Sequence, residues 1–386
     1  MIVAVLGALF THPFCNNSGG HVSVRERRVV VHIGPGKTGT THTQWWLEKN
    51  ADRLLTHGWA WPRDSVRNSS QVWLSYNGHH DLAPSLCDCH PKQMSGPLGH
   101  FTDWFAPDAK AARGIREKWQ ARFHRAAKEA PNLIVSSEHL GGLRVSELAS
   151  CANMWARMRK MLQSAGFTSF TVVVMLREPL VAWMRSSYNQ AYQGSQKAWR
   201  LSQPQLFSPT WEKLRATLNQ DYAGNLAAAR AAGFHAQVVD LGGAAEAGTD
   251  QTDVLACEVL GIRCDVDRHW PYPAMSSGAS NSKESAPDNT PIVALAWKLH
   301  CQNRSLPPMK SLLSLGRAVN SIRTNCTDYR DLEMRGSALL DEILHDVCVR
   351  PHRAPTAAPE DTSLIICQAE PAELALLPIF QRACRD

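Results

Sequence analysis

Apolar positions along this chain fall into two recurring patterns. One is the short, unbroken run of β-branched residues; the other is a longer stretch in which apolar side chains return every three or four positions. "RVVVHI" (28–33), "NLIVSS" (132–137), "FTVVVML" (170–176) and "HAQVVDL" (235–241) are of the first kind and predict strands buried on both faces. "HGWAWP" (57–62) predicts a shorter strand stopped by Pro62. The second pattern predicts helices from Thr38 to about Leu55, near 111–129, 145–165, 180–192 and 210–232, and over 252–262, ending at Gly261. Strands that alternate with helices require a parallel sheet covered on both sides. The expected class is therefore α/β, three-layered, with a central parallel sheet and helices on both faces.

The pattern weakens elsewhere. Residues 63–110, rich in His, Pro, Gly, Ser and Cys, read as a long loop region, and a loop of that length in a compact domain usually has a task. Residues 273–291 are poor in apolar side chains and read as a flexible loop or linker. Helices return near 292–302, 309–322 and 328–346, so the C-terminal part is expected to be helical. The division this suggests is a leader or anchor remnant over 1–27, one domain over 28–350, and a tail over 351–386 with no readable structure. "MIVAVLGALF" is apolar but lacks a basic flank; a short signal peptide, the stub of a membrane anchor and a frayed terminus all fit it. No apolar run approaches the roughly 18 residues of a membrane span, so any membrane association is expected through this short segment only.

Charge and cysteine usage narrow the picture. The formal charge of +6 on 386 residues suits an anionic substrate or cofactor, and no dense Lys/Arg block marks a nucleic-acid partner. Eleven cysteines without a CxxC pair, and sequons at Asn16, Asn68, Asn303 and Asn325, point to an oxidising, glycosylating compartment, with the cytoplasm as the alternative. "HHDLAPSLCDCH" (79–90) gathers three His and two Cys, but C-x-C with distant His is irregular for zinc. A disulfide from Cys87 or Cys89 is expected there, and no metal.

"VVVHIGPGKTGTTHTQ" (29–44) carries the clearest chemistry. A strand runs into a Gly-rich turn and a helix whose first N–H groups lack intrahelical partners, which makes an anion site. Lys37 adds a full positive charge, Thr38, Thr40 and Thr41 add hydroxyls, and Gly36 and Gly39 let the backbone come close. A nucleoside-triphosphate loop of the form G-x-x-x-x-G-K-[ST] would need its first glycine at position 31, which is Val31. The later strand "VVVML" ends in Leu176 and Arg177, where a magnesium-holding acid would be needed. Both departures lead away from ATP and toward a metal-free phosphate site.

"HIGPGKTGTTHTQ" resembles the 5′-phosphosulfate loop of sulfotransferases that use 3′-phosphoadenylyl sulfate (PAPS). "VVVMLREPLVAWMRSSYNQAYQ" (172–193) resembles that family's 3′-phosphate motif, and "THGWAWP" its second strand. The likeness runs from about residue 28 to about 303. It implies a P-loop-like sulfotransferase fold and a reaction that releases 3′,5′-ADP. Gly36, Lys37, Thr38, Gly39, Thr40 and Thr41 would hold the 5′ end, and Arg177 and Ser186 the 3′-phosphate. The family's Ser stands eight positions after the Arg, where this chain has Arg185. Aligning "SSYNQ" selects Ser186 through a one-residue insertion in the first helical turn and leaves Ser187 open.

Such transfer needs charge stabilisation and a general base. Lys37 is expected to stabilise the leaving oxygen. Glu138, at the end of "LIVSSEHL", and His80 are the base candidates, with His79 and His139 beside them. Lys283, in "NSKES", is a candidate clamp on the cofactor. The acceptor implied by a lumenal, Golgi-type setting is a glycan or another secretory-pathway hydroxyl or amine. The alternatives are a P-loop kinase of a small metabolite and a catalytically inactive module that binds PAPS or its product.

Overall fold

The structure, a computed structural model, describes residues 26–34, 39–62, 79, 81–91, 105–137, 140–141, 151–193, 207–246, 248–262, 264, 290–301, 307, 309–319, 321–322, 325–350 and 364–385. Strands β1 (Arg28–Ile33), β2 (Trp59–Ala60), β5 (Asn132–Ser136), β6 (Ser169–Leu176), β7 (His235–Asp240) and β9 (Cys348–Arg350) form one six-stranded sheet in the order β2-β5-β1-β6-β7-β9. Every neighbouring pair is parallel. β1 lies between β5 and β6, which explains its unbroken burial from Val29 to Ile33.

Helices cover both faces. On one side lie α1 (Thr40–Lys49), α2 (Ala51–Thr56), α9 (Leu241–Glu246) and α10 (Gln251–Asp253), the last continued by a π-helical turn over Val254–Val259. They pack Trp46, Leu47, Leu54 and Leu255 against Val30, Ile134, Val173 and Val239. On the other side lie α3 (Leu82–Leu86), α4 (Ala109–Glu129), α5 (Met154–Ser164) and α6 (Leu180–Gln193). Beside them run α7 (Trp211–Leu218), a π-helical turn (Asn219–Gly224) and α8 (Asn225–Ala231). Their core partners on β1 are Val29, Val31 and Ile33. The helix α4 shows how sequence sets such an element: Asp108 caps it by accepting the N–H of Ala111, and Ala112, Trp119, Phe123 and Ala126 form its buried stripe.

The long region 63–110 is only partly loop. It contains α3 and an antiparallel pair, β3 (Cys89–Pro91) with β4 (Phe105–Pro107). Cys87, at the end of α3, is bonded to Cys151, in line with the expected disulfide. The C-terminal part contributes α11 (Thr290–His300), α12 (Met309–Ala318) and α13 (Arg330–Leu344) as helices. Beyond residue 350, β10 (Ile365–Gln368) pairs antiparallel with β8 (Asn325–Asp328), and α14 (Pro371–Leu376) and α15 (Pro378–Arg385) follow. Cys326–Cys367 fastens β10 to β8, and Cys301–Cys384 ties α15 to the end of α11. With Cys257–Cys264, four pairs are bridged among the described residues, and such a set belongs to an oxidising, secreted-type environment. Among the described residues, no helix is long and apolar enough to cross a membrane.

Candidate functional site

Parallel pairing decides which segments meet. His32 is in register with Ser136 of β5, and Ile33 with Val174 of β6. The segments that leave β1, β5 and β6 therefore emerge side by side at the carboxyl edge of the sheet, where open α/β sheets bind ligands. The first carries Gly34 and Gly39, the second Ser137 and Gly141, the third Arg177.

The segment after β1 is held at both ends. Gly34 packs against Gly141 so closely that a Cβ added at Gly141 would lie 2.8 Å from the Gly34 carbonyl oxygen. Asn225 steadies Gly141 by donating from Nδ2 to its carbonyl at 2.8 Å. Gly39 opens α1 in the left-handed region, with φ 71° and ψ 11°. Its carbonyl accepts the N–H of Thr43 and, at 3.0 Å, the Nε2 of Gln251. Gln251 also donates to Thr43 Oγ1 at 3.1 Å. α1 has no side-chain cap and no acidic residue in its first turn, so its N-terminal dipole meets no opposing carboxyl from its own helix.

Gln251 is itself well anchored. Asp250 caps its short helix, taking the Thr252 N–H at 2.8 Å and the Thr252 hydroxyl at 2.6 Å. His42 of α1 reaches Asp250 at 3.5 Å. Burial pushes the Asp250 carboxyl up, but the hydrogen bonds from His42 and Thr252 outweigh it and hold the group down at about 2.

The N-terminus of α6 is different. Glu333 of α13, 5% exposed, accepts the N–H of Leu180 at 2.6 Å and of Val181 at 2.7 Å. Ser337 donates to the Glu178 side chain at 3.2 Å, and a Cβ at Gly336 would strike Leu214 and Leu180. The helix after β6 thus has its first amides taken by a protein carboxyl. Arg177, Ser186 and Ser187, the residues expected from sequence to meet an anion at this strand end, are half-buried. α6 is α-helical from Leu180 to Gln193, so the extra residue expected in its first turn makes no bulge.

Of the other residues singled out from sequence, Thr40 is buried in the first turn of α1, and Thr41 follows it there. Gly36, Lys37, Thr38, His80, Glu138, His139 and Lys283 lie outside the described residues. His79 is a correction. It is buried at 4% exposure, stacked on Trp61 at 4.1 Å and edge-on to Trp119 at 4.9 Å. Its Nδ1 accepts the Ser136 N–H at 3.2 Å, which leaves Nε2 to donate to the Pro62 carbonyl at 3.2 Å. With both nitrogens committed, it serves the core and not proton transfer. It cannot ligate zinc either, nor can Cys87, whose sulfur is bonded to Cys151.

Three residues carry more of the site than their sequence context announces: Gln251, Glu333 and His32. The last is fully buried at the end of β1, with Nδ1 2.6 Å from Ser136 Oγ, and burial pulls its imidazole down to about 3. Among the described residues its Nε2 meets no hydrogen-bond partner.

Comparison with known protein families, with curated proteins and with solved structures finds no match to this chain.

Proposed function

We propose that this chain is a sulfotransferase that moves a sulfuryl group from PAPS to a hydroxyl or amine acceptor, releasing 3′,5′-ADP. The observation that carries the reading is the parallel pairing of β1 with β6, which sets the start of the Gly-rich segment, after Ile33, beside the strand that runs on to Arg177. One strand end leads into a helix start without a cap or an acid; the other leads into a helix start already taken by Glu333. A backbone-lined anion site next to an arginine-based one suits a nucleotide with phosphates at both its 5′ and 3′ ends.

In this reading Gly36, Thr38, Gly39, Thr40 and Thr41 hold the 5′ end, Arg177 and Ser186 the 3′-phosphate, and Lys283 a further part of the nucleotide. PAPS, when bound, supplies an activated sulfuryl group on its 5′-phosphate. Lys37 offsets charge on the leaving phosphate oxygen. Glu138 or His80 takes the proton of the acceptor. No metal ion is invoked. The disulfides support a secretory-pathway setting, Golgi lumen included, and with it a glycan or another secreted acceptor.

The test is calorimetric titration without metal, followed by transfer from labelled PAPS to a panel of glycans and secreted proteins. Tight binding of 3′,5′-ADP and turnover are expected. Arg177→Ala should weaken 3′,5′-ADP far more than 5′-AMP. Binding of ATP with magnesium in place of 3′,5′-ADP would establish the kinase alternative, and binding without transfer to any acceptor the inactive module.

A further inference from the structure

We propose that Gln251 is a positioning residue for the phosphate-binding segment, holding Gly39 in the left-handed conformation that aims the first turn of α1 at the 5′ end of the nucleotide. The inference rests on the phosphate-site reading above. It begins from a property of glycine. Glycine permits φ 71°, but with no Cβ it permits most other conformations nearly as well, so it cannot by itself keep the backbone there. Something else must select this state.

Gln251 is placed to do so. Its amide nitrogen binds both the Gly39 carbonyl and the Thr43 hydroxyl, so it spans the first turn of α1 from its opening residue to the residue one turn on. Its amide group also fills the space a side chain at position 39 would need: a Cβ there would lie 2.4 Å from Gln251 Oε1 and 2.5 Å from Nε2. Glycine at 39 and glutamine at 251 are thus matched twice, by backbone angle and by volume. The clamp comes from a stiff base, since Asp250 caps α10 on one side of Gln251 and Thr252 and Asp253 are buried on the other. An amide donor adds no charge at the site. Gln251 therefore acts through Gly39 and the direction of the α1 amides.

The experiment compares 5′-AMP, 3′,5′-ADP and 3′-AMP binding, by calorimetry, to the full chain and to Gln251→Met, which keeps length and volume but loses the donor. Loss of two hydrogen bonds that orient the segment should weaken 5′-AMP and 3′,5′-ADP each by about tenfold and leave 3′-AMP unchanged. Gln251→Asn, which keeps the amide but is one methylene too short to span Gly39 and Thr43, should lose the same two ligands selectively and stands in if Gln251→Met does not fold. Unchanged affinity for all three ligands, or an equal loss for all three, overturns the inference. A wild-type chain that binds neither 5′-AMP nor 3′,5′-ADP overturns the phosphate-site reading itself, so the wild-type measurement separates the two failures.

Discussion

Glu333 accepts the backbone N–H of Leu180 at 2.6 Å, and a side chain from the C-terminal helices thereby closes the start of the helix that follows Arg177. The same carboxyl takes the N–H of Val181 at 2.7 Å. Two amides that would otherwise be buried without partners are satisfied by one residue. The C-terminal part is thus an integral support of the strand end where an anion is expected to bind.

Glu333→Ala leaves both amides without an acceptor, and a loss of about 2–5 kcal/mol in unfolding free energy is expected. Glu333→Gln keeps one acceptor and should lose less. Denaturant titration of both variants checks the order; equal stability of Glu333→Ala and wild type would refute the capping role.

Gly141→Ala forces a Cβ onto the backbone of Gly34. Overpacking of this kind costs about 1–3 kcal/mol, and here the shift falls on the segment that leads into the proposed phosphate site. Weaker 5′-AMP binding should accompany the lower stability. A variant that binds as well as wild type would show that Gly34 can move without consequence.

His32 is neutral in the folded chain, because burial holds its imidazole at about 3 against an ordinary 6.5. Protonation then favours the unfolded chain. The stability this provides is present above pH 6.5 and is lost as pH falls from there toward 3. Asp250 acts lower: held at about 2 against 3.8, it stabilises above pH 3.8 and that contribution is lost as pH falls through about 2. Thermal melts of His32→Asn should show a flatter decline between pH 6.5 and 3 than wild type, and Asp250→Asn a flatter one only below pH 3.8. Parallel curves for all three proteins would contradict these assignments.

Lys37→Ala is expected to lower kcat by about 10², the usual cost of losing one group that stabilises the transition state. Glu138→Gln should lower kcat by about 10²–10⁴ with PAPS affinity nearly intact if Glu138 is the base. Near-normal turnover in Glu138→Gln together with an inactive His80→Ala would assign the base to the histidine.

Non-reducing peptide mapping of protein from its native source should recover Cys87–Cys151, Cys257–Cys264, Cys301–Cys384 and Cys326–Cys367. Asn325 is exposed on β8 and its sequon should carry a glycan. Fully reduced, unglycosylated protein would argue for the cytoplasm.

The strands that position the site were legible because a parallel strand is buried on both faces and leaves a continuous β-branched run, as in Val29–Val31 and Val172–Val174. A disulfide from Cys87 or Cys89 was legible because C-x-C fits zinc poorly, and Cys87 is the one bonded to Cys151. What escaped was set by distance along the chain. Gln251 reaches Gly39 across 212 positions and Glu333 reaches Leu180 across 153, and nothing near either residue hints at its target. His79 sits in a polar context, yet Trp61 and Trp119 enclose it. β9 spans three residues, too few to display a period, and its assignment depends on β7.

That last pairing has a consequence for how the protein is made. Cys348 pairs with Gln237, more than a hundred positions earlier. Until the ribosome has passed β9, the N–H and C=O groups along one side of β7 have no strand to receive them. An exposed sheet edge of this kind recruits strands from other nascent chains. At elongation rates of about 5–20 residues per second, the exposure lasts on the order of ten seconds. Synthesis therefore includes an interval in which this edge stands open to other chains.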